Sequence, residues 1–182
     1  MLQSYGTTEF SNGAGGESNR LRLADGPLEL SWHHCSTTSD FLGDFFASLA
    51  RRSDADYNDA RHSIGYLVNE LLENAVKFRA PGDIVVEARL QAKNFEVRVS
   101  NLIEEDTARR FQGLLEEIVS RDPGELLIER IEQNAADPLS SGSGLGLLTL
   151  MSDYGVRLGW KFFRRAESGP IELETYAALT LS

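Results

Sequence analysis

Only one cysteine, Cys35, occurs in the 182 residues. A disulfide within the chain is therefore excluded, as is a metal site built on several thiolates; Cys35 reads as a small strand residue. No apolar run approaches the ~18 residues needed to cross a bilayer. The N-terminus has no charged segment followed by an apolar core, so no signal peptide is expected and a reducing cytoplasm fits best. Positive charge is scarce too: 18 Lys and Arg stand against 28 Asp and Glu, giving a net charge of −10. That balance argues against nucleic acid, whose phosphates require clustered Lys and Arg, and against an anionic membrane surface.

What is present suits a single domain with an ordinary hydrophobic core. Much of the acid lies between Glu104 and Asp137, where ten Asp and Glu face four Arg. The plain reading is a solvated helical face; a dock for a basic partner is the other. Residues 1–27, rich in Gly, Ser, Thr and Asn, are expected to form a flexible tail, with one domain over 28–182. Leu28 to His34 alternates like a half-buried strand. Ser39-Asp40 could cap a helix running to about Arg52, with Phe41, Leu42, Phe45, Phe46 and Leu49 on its apolar side. A long helix is expected from about Asp59 to Phe78, stopped by Ala80-Pro81-Gly82-Asp83. Ile84–Leu90 and Phe95–Val99 read as a hairpin. Helices over Arg109–Ser120 and Glu125–Gln133, a loop over Ala136–Ser143, a helix from Gly144 to about Tyr154, and strands Val156–Phe163 and Ile171–Leu181 complete the chain. This order predicts an α/β (α+β) two-layer sandwich: one mixed, mostly antiparallel sheet with helices on one face.

Two stretches carry chemistry. The first is Asn69-Glu70-Leu71-Leu72-Glu73-Asn74-Ala75-Val76-Lys77-Phe78. At about 100° per residue, Glu70, Asn74 and Lys77 share a wedge of about 60° bordering the core stripe of Ile64, Leu67, Val68, Leu71, Leu72 and Ala75. Mg²⁺ takes oxygen ligands and keeps several waters, so an Asn oxygen can supply one ligand while phosphates supply others. A carboxylate one turn away can accept a proton from a hydroxyl or water, and a Lys one turn further on can offset phosphate charge. The plainer alternative is a surface Glu–Lys pair beside a solvent-facing Asn.

The second stretch is Ser141-Gly142-Ser143-Gly144-Leu145-Gly146-Leu147-Leu148. Its glycines allow close backbone approach to a polyphosphate and positive φ where needed, and the helix that follows presents free N–H groups to an anion. A flexible loop opening a helix is the plainer alternative. No Gly-Lys-Ser/Thr follows, so this is no P-loop, and no strand precedes it as in a dinucleotide fingerprint.

In this order, with a hairpin between them, the two stretches resemble the N box and G2 box of the GHKL superfamily (gyrase, Hsp90, histidine kinase, MutL). The resemblance runs from about Leu28 to the C-terminus. It implies a Bergerat fold holding Mg²⁺ and ATP between the N-box helix and a lid over about 102–143. By it, Glu70 is the general base, Asn74 the Mg²⁺ ligand and Lys77 a phosphate contact, with Gly142, Ser143, Gly144, Leu145 and Gly146 around the phosphates. The chain departs from the family at the G1 box, Asp-x-Gly-x-Gly, where Val99-Ser100-Asn101-Leu102-Ile103 stands instead. Asn101 can still accept from an adenine amino group, with less charge than an Asp. Thr175 and Thr180 on the last strand are candidates to reach the base, with a plain strand role as the simpler reading.

The residues before the N box are expected to form a tail, a strand and one helix instead of a phosphoacceptor hairpin, and His62 sits on the N-box helix itself, so His62 reads as a surface residue. The chain is most similar in layout to the stand-alone serine/threonine kinases of bacterial partner switching, the anti-sigma-factor and SiaB-like kinases. That implies phosphorylation of a small antagonist protein on Ser or Thr, a sigma factor or signalling enzyme as a further partner, and a dimer as one arrangement. The alternatives are a non-catalytic module of the same fold that sequesters a regulator, and a simple ATPase.

Overall fold

The computed structural model describes residues 2–8, 18–25, 32–51, 55–136, 144–164 and 169–182. The long helix forms as its pattern requires. Asp56 caps it, its carboxylate accepting from the Asp59 N–H at 2.8 Å, and α2 runs Tyr57–Phe78 with its apolar stripe buried. Arg79 turns extended and ends the helix ahead of Ala80-Pro81, where proline disfavours helical backbone at Ala80. The chain then enters β3 (Ile84–Gln91), turns through Ala92-Lys93 with Ala92 at φ 52°, and returns as β4 (Asn94–Ile103).

Helix α1 (Trp32–Ala50) starts earlier than expected. Cys35, Ser39, Leu42 and Phe46 are spaced as one helical stripe, and all four are buried. Ser39 therefore lies inside the helix, its hydroxyl donating back to the Ser36 carbonyl at 2.9 Å, instead of capping its start. The strand expected over Leu28–His34 is overturned at Trp32–His34, which are helical, and Cys35 is a helix residue; the rest of that stretch lies outside the described residues. Leu42 and Phe46 face the core, whereas Phe41 and Phe45 stack on each other at 6.0 Å on the exposed side. A Cβ on Gly43 would sit 2.9 Å from the Arg61 carbonyl, so this glycine permits the close crossing of α1 on α2.

The expected flexible tail is also overturned in part. Leu2–Gly6 is strand β1, paired with β5 (Arg157–Phe163), and Asn19–Leu23 is β2, paired with β3. Tyr5 meets Phe162 edge-on at 5.9 Å, and the Arg22 guanidinium pairs with Asp83. With β6 (Ile171–Thr180) the sheet order is β1-β5-β6-β4-β3-β2. Every described pairing is antiparallel, so the sheet is more uniform than the mixed one expected. Helices pack on one face, and the architecture is an α+β two-layer sandwich. Helices α3 (Glu105–Ser120), α4 (Pro123–Ala136) and α5 (Leu145–Ser152) follow β4. Because β4 continues to Ile103, the helical insert begins at Glu104, slightly later than 102.

One row of each strand faces the helices. Val99 stands opposite Thr175, Asn101 opposite Leu173, and Trp160 opposite Thr175. A second small cluster, Ile118, Leu126, Leu127 and Leu148, ties α3, α4 and α5 together. No described helix is long and apolar enough to cross a membrane.

Candidate functional site

The polar wedge of α2 borders the buried stripe, as its periodicity predicts. Glu70 and Asn74 are half-buried beside buried Leu67, Leu71 and Ala75. Lys77 is exposed, its Nζ 5.1 Å from the centre of the Phe78 ring.

The glycine turn meets this wedge directly. Gly144 takes the left-handed conformation at φ 92°, and its carbonyl accepts from Leu148 N at 3.0 Å to open α5. A Cβ on Gly146 would fall 1.8 Å from Glu70 Oε2. Only glycine lets the carboxylate of α2 lie against the first turn of α5.

Between these elements, the described residues enclose a cavity of about 740 Å³. Glu70, Asn74, Lys77, Asn101, Gly144 and Gly146 all line it. Leu145 does not; it packs on the small cluster of α3, α4 and α5. Gly142 and Ser143 lie outside the described residues. Asn101 is buried, and its amide nitrogen donates to the Leu102 carbonyl at 3.2 Å, leaving the carboxamide oxygen as the atom able to accept. Thr175 also lines the cavity, whereas Thr180 is exposed near the far end of β6. Trp160 forms part of the wall, and its buried indole N–H has no hydrogen-bond partner among the described residues.

Burial pushes the Glu70 carboxyl above the usual carboxylate range, and the nearby charge of Glu73 pushes the same way. A hydrogen bond from the Tyr66 hydroxyl opposes them. Tyr66 lies one helical turn before Glu70; burial raises its phenol pKa, and Thr149 of α5 opposes that shift. Its ring stacks on Tyr154 at 5.0 Å, and the Tyr154 hydroxyl lies 3.3 Å from Nε2 of the exposed His62. Tyr66 thus stands beside the Glu70 carboxylate and near Thr149 of α5. Its i, i+4 spacing from Glu70 is the one signal for it in the sequence. Arg110 of α3 and Arg130 of α4 also line the cavity. Nothing in the spacing of an acid-rich helical insert distinguishes them from surface arginines.

The donor set fits a cation held jointly with a ligand. No group of three or more His, Cys, Asp or Glu is placed to hold a metal among the described residues. The Asn74 amide oxygen can supply one oxygen ligand and leaves most of an octahedron to a bound ligand and water, which suits Mg²⁺. The cavity volume is in the range of about 300–1,000 Å³ typical of small-ligand sites. No protein-family model matches this chain, and no curated protein matches it either.

Proposed function

We propose that this chain is a GHKL-type ATP-binding protein serine/threonine kinase with a Bergerat fold, phosphorylating a small antagonist protein in a partner-switching system. The observation that carries the reading is the contact of Glu70 with Gly146, which joins the acid–amide pair of α2 to an anion-suited helix start in one cavity. ATP is the substrate, its phosphates lying between the first turn of α5 and Lys77. Asn74 would hold Mg²⁺, which when bound offsets charge on the β- and γ-phosphates. Glu70 takes the proton of the partner's Ser or Thr hydroxyl as that oxygen bonds to the γ-phosphorus. The bond to the β,γ-bridging oxygen breaks, and ADP leaves. The raised Glu70 carboxyl suits a base, since proton transfer is most effective when the pKa approaches the working pH. Asn101 accepts from the adenine amino group.

One observation favours a second reading, a non-catalytic module that sequesters a regulator. Where the family opens a glycine loop, β4 continues as regular strand through Asn101–Ile103, paired with Leu173–Ile171 of β6. That alters one wall of the base pocket. Labelled ATP with Mg²⁺ and candidate small antagonist proteins separates the readings. Label moving to a Ser or Thr of the partner, and lost in Glu70→Ala, supports the kinase. Partner binding without nucleotide or transfer supports the module, and phosphate release without an acceptor supports a plain ATPase.

A further inference from the structure

The cations of the cavity come from two sources. Lys77 belongs to α2, whereas Arg110 and Arg130 belong to α3 and α4. Arg130 is already paired: its Nη2 donates to Glu117 Oε2, and Glu117 also lines the cavity. The other Glu117 oxygen lies 3.4 Å from Arg121 Nη1, and Arg121 holds Glu129 at 2.5 Å. Glu117 therefore sits between two guanidiniums, one on the cavity and one off it. Leu126 and Leu127, one turn before Arg130, pack with Leu148 of α5 and fix α4 beside the glycine turn.

We propose that Arg130 is a phosphate-binding residue and that Glu117 is its resting partner, standing where a substrate phosphate oxygen goes. This rests on the polyphosphate reading of the cavity. A guanidinium presents the same planar fork to carboxylate and to phosphate, so the exchange preserves its geometry. The side chains of Arg130 and Glu117 are 27% and 35% exposed, so water screens the pair and it yields readily. A triphosphate brings several negative charges to Arg130, where Glu117 brings one. Arg121 retains Glu117 once it is displaced. Glu117 thus acts as a built-in competitor that lowers affinity for the polyphosphate part of a nucleotide and leaves the base untouched.

Calorimetry on the full chain with Mg²⁺ and ATP, ADP or adenosine tests this. Glu117→Gln frees Arg130 and tightens ATP by about tenfold, with adenosine unchanged. Arg130→Gln weakens ATP by about tenfold, again without moving adenosine. Arg109→Gln, on an exposed arginine of α3 that pairs with Asp106 outside the cavity lining, keeps the ATP-to-adenosine ratio within about twofold. Thermal unfolding without nucleotide checks each variant. If Arg130→Gln does not fold, Arg130→Lys, which keeps the charge and loses the fork, shows a smaller loss in the same sense. Equal shifts for ATP and adenosine, or ATP affinity unmoved in both cavity variants, overturn the assignment while leaving the ATP reading intact. A wild-type chain that binds neither ATP nor ADP overturns both.

Discussion

On the face of the sheet away from the helices, Arg20, Glu87 and Arg98 stand opposite one another across β2, β3 and β4. Arg98 then reaches Glu174 of β6 at 3.4 Å, and Glu174 lies opposite Lys161 of β5. Glu96, almost wholly buried, holds Arg89 at 2.6 Å and accepts from Asn94 at 2.9 Å. Charges there alternate in sign and close on each other. On the helix side, Glu70 has a tyrosine hydroxyl for support and another carboxylate, Glu73, for a neighbour. The open face spends its charge on structure, whereas the cavity keeps a carboxylate whose ionisation the fold opposes. Groups held in this way are what a proton-transfer role would use.

Replacing a carboxylate on each side breaks this comparison most sharply. Glu70→Gln keeps shape and removes the base; phosphoryl transfer to the partner is expected to fall about a thousandfold, with ATP affinity nearly unchanged. Transfer that survives in this variant removes Glu70 from the mechanism. Glu96→Ala removes the buried carboxylate held by Arg89 and Asn94 and is expected to destabilise the fold by about 3 kcal/mol in chemical unfolding. Nucleotide affinity should not change. If Glu96→Ala weakened ATP as much as it weakened the fold, the two faces would not be independent.

The same contrast explains what could be read from the sequence. The α2 wedge was legible because its order repeats every turn and its neighbours are strictly apolar. The hairpin was legible by alternation, and the helix-facing row of β4 carried Asn101 into the cavity. The N-terminal part of the chain was not legible. In β2, Asn19–Leu23 alternates Arg with Leu, but five residues beside a Gly- and Ser-rich stretch look like tail until β3 supplies a partner. In α1, a local polar pair at Ser39-Asp40 outweighed a stripe that begins at Cys35, since caps are short-range signals and burial is tertiary. Arg110 and Arg130 belong to the cavity only because the cluster around Leu148 folds α3 and α4 back over α5.

Gly146→Ala probes the junction itself. Its methyl would overlap Glu70 Oε2, which must swing away. The obstacle is the end of a flexible side chain, so the fold should lose under about 1 kcal/mol, within the range of ordinary substitutions. Moving the base by about 1 Å is expected to cost about a hundredfold in transfer. A melting temperature near wild type with transfer near wild type as well would show that the contact has no catalytic use.

The smallest effect sharpens the comparison through pH. Because the folded chain holds the Glu70 proton more tightly than the unfolded chain, it binds more protons wherever Glu70 is ionised in the unfolded state and still protonated in the folded one. Stability contributed by Glu70 therefore falls as pH rises from the ordinary carboxylate value through the raised folded value, and stays low above it. Glu70→Gln removes that loss. The variant should melt higher than wild type at pH 7, and the difference should shrink as pH falls below the ordinary carboxylate value, where both side chains are neutral. Tyr66→Phe should move the wild-type pattern the other way by removing the hydrogen bond that favours the ionised form, extending the unfavourable window to higher pH. A Glu70→Gln variant less stable than wild type at pH 7 would mean that the carboxylate is paid for by contacts within the fold, like those on the open face, and the distinction between the two faces would fail at its central residue.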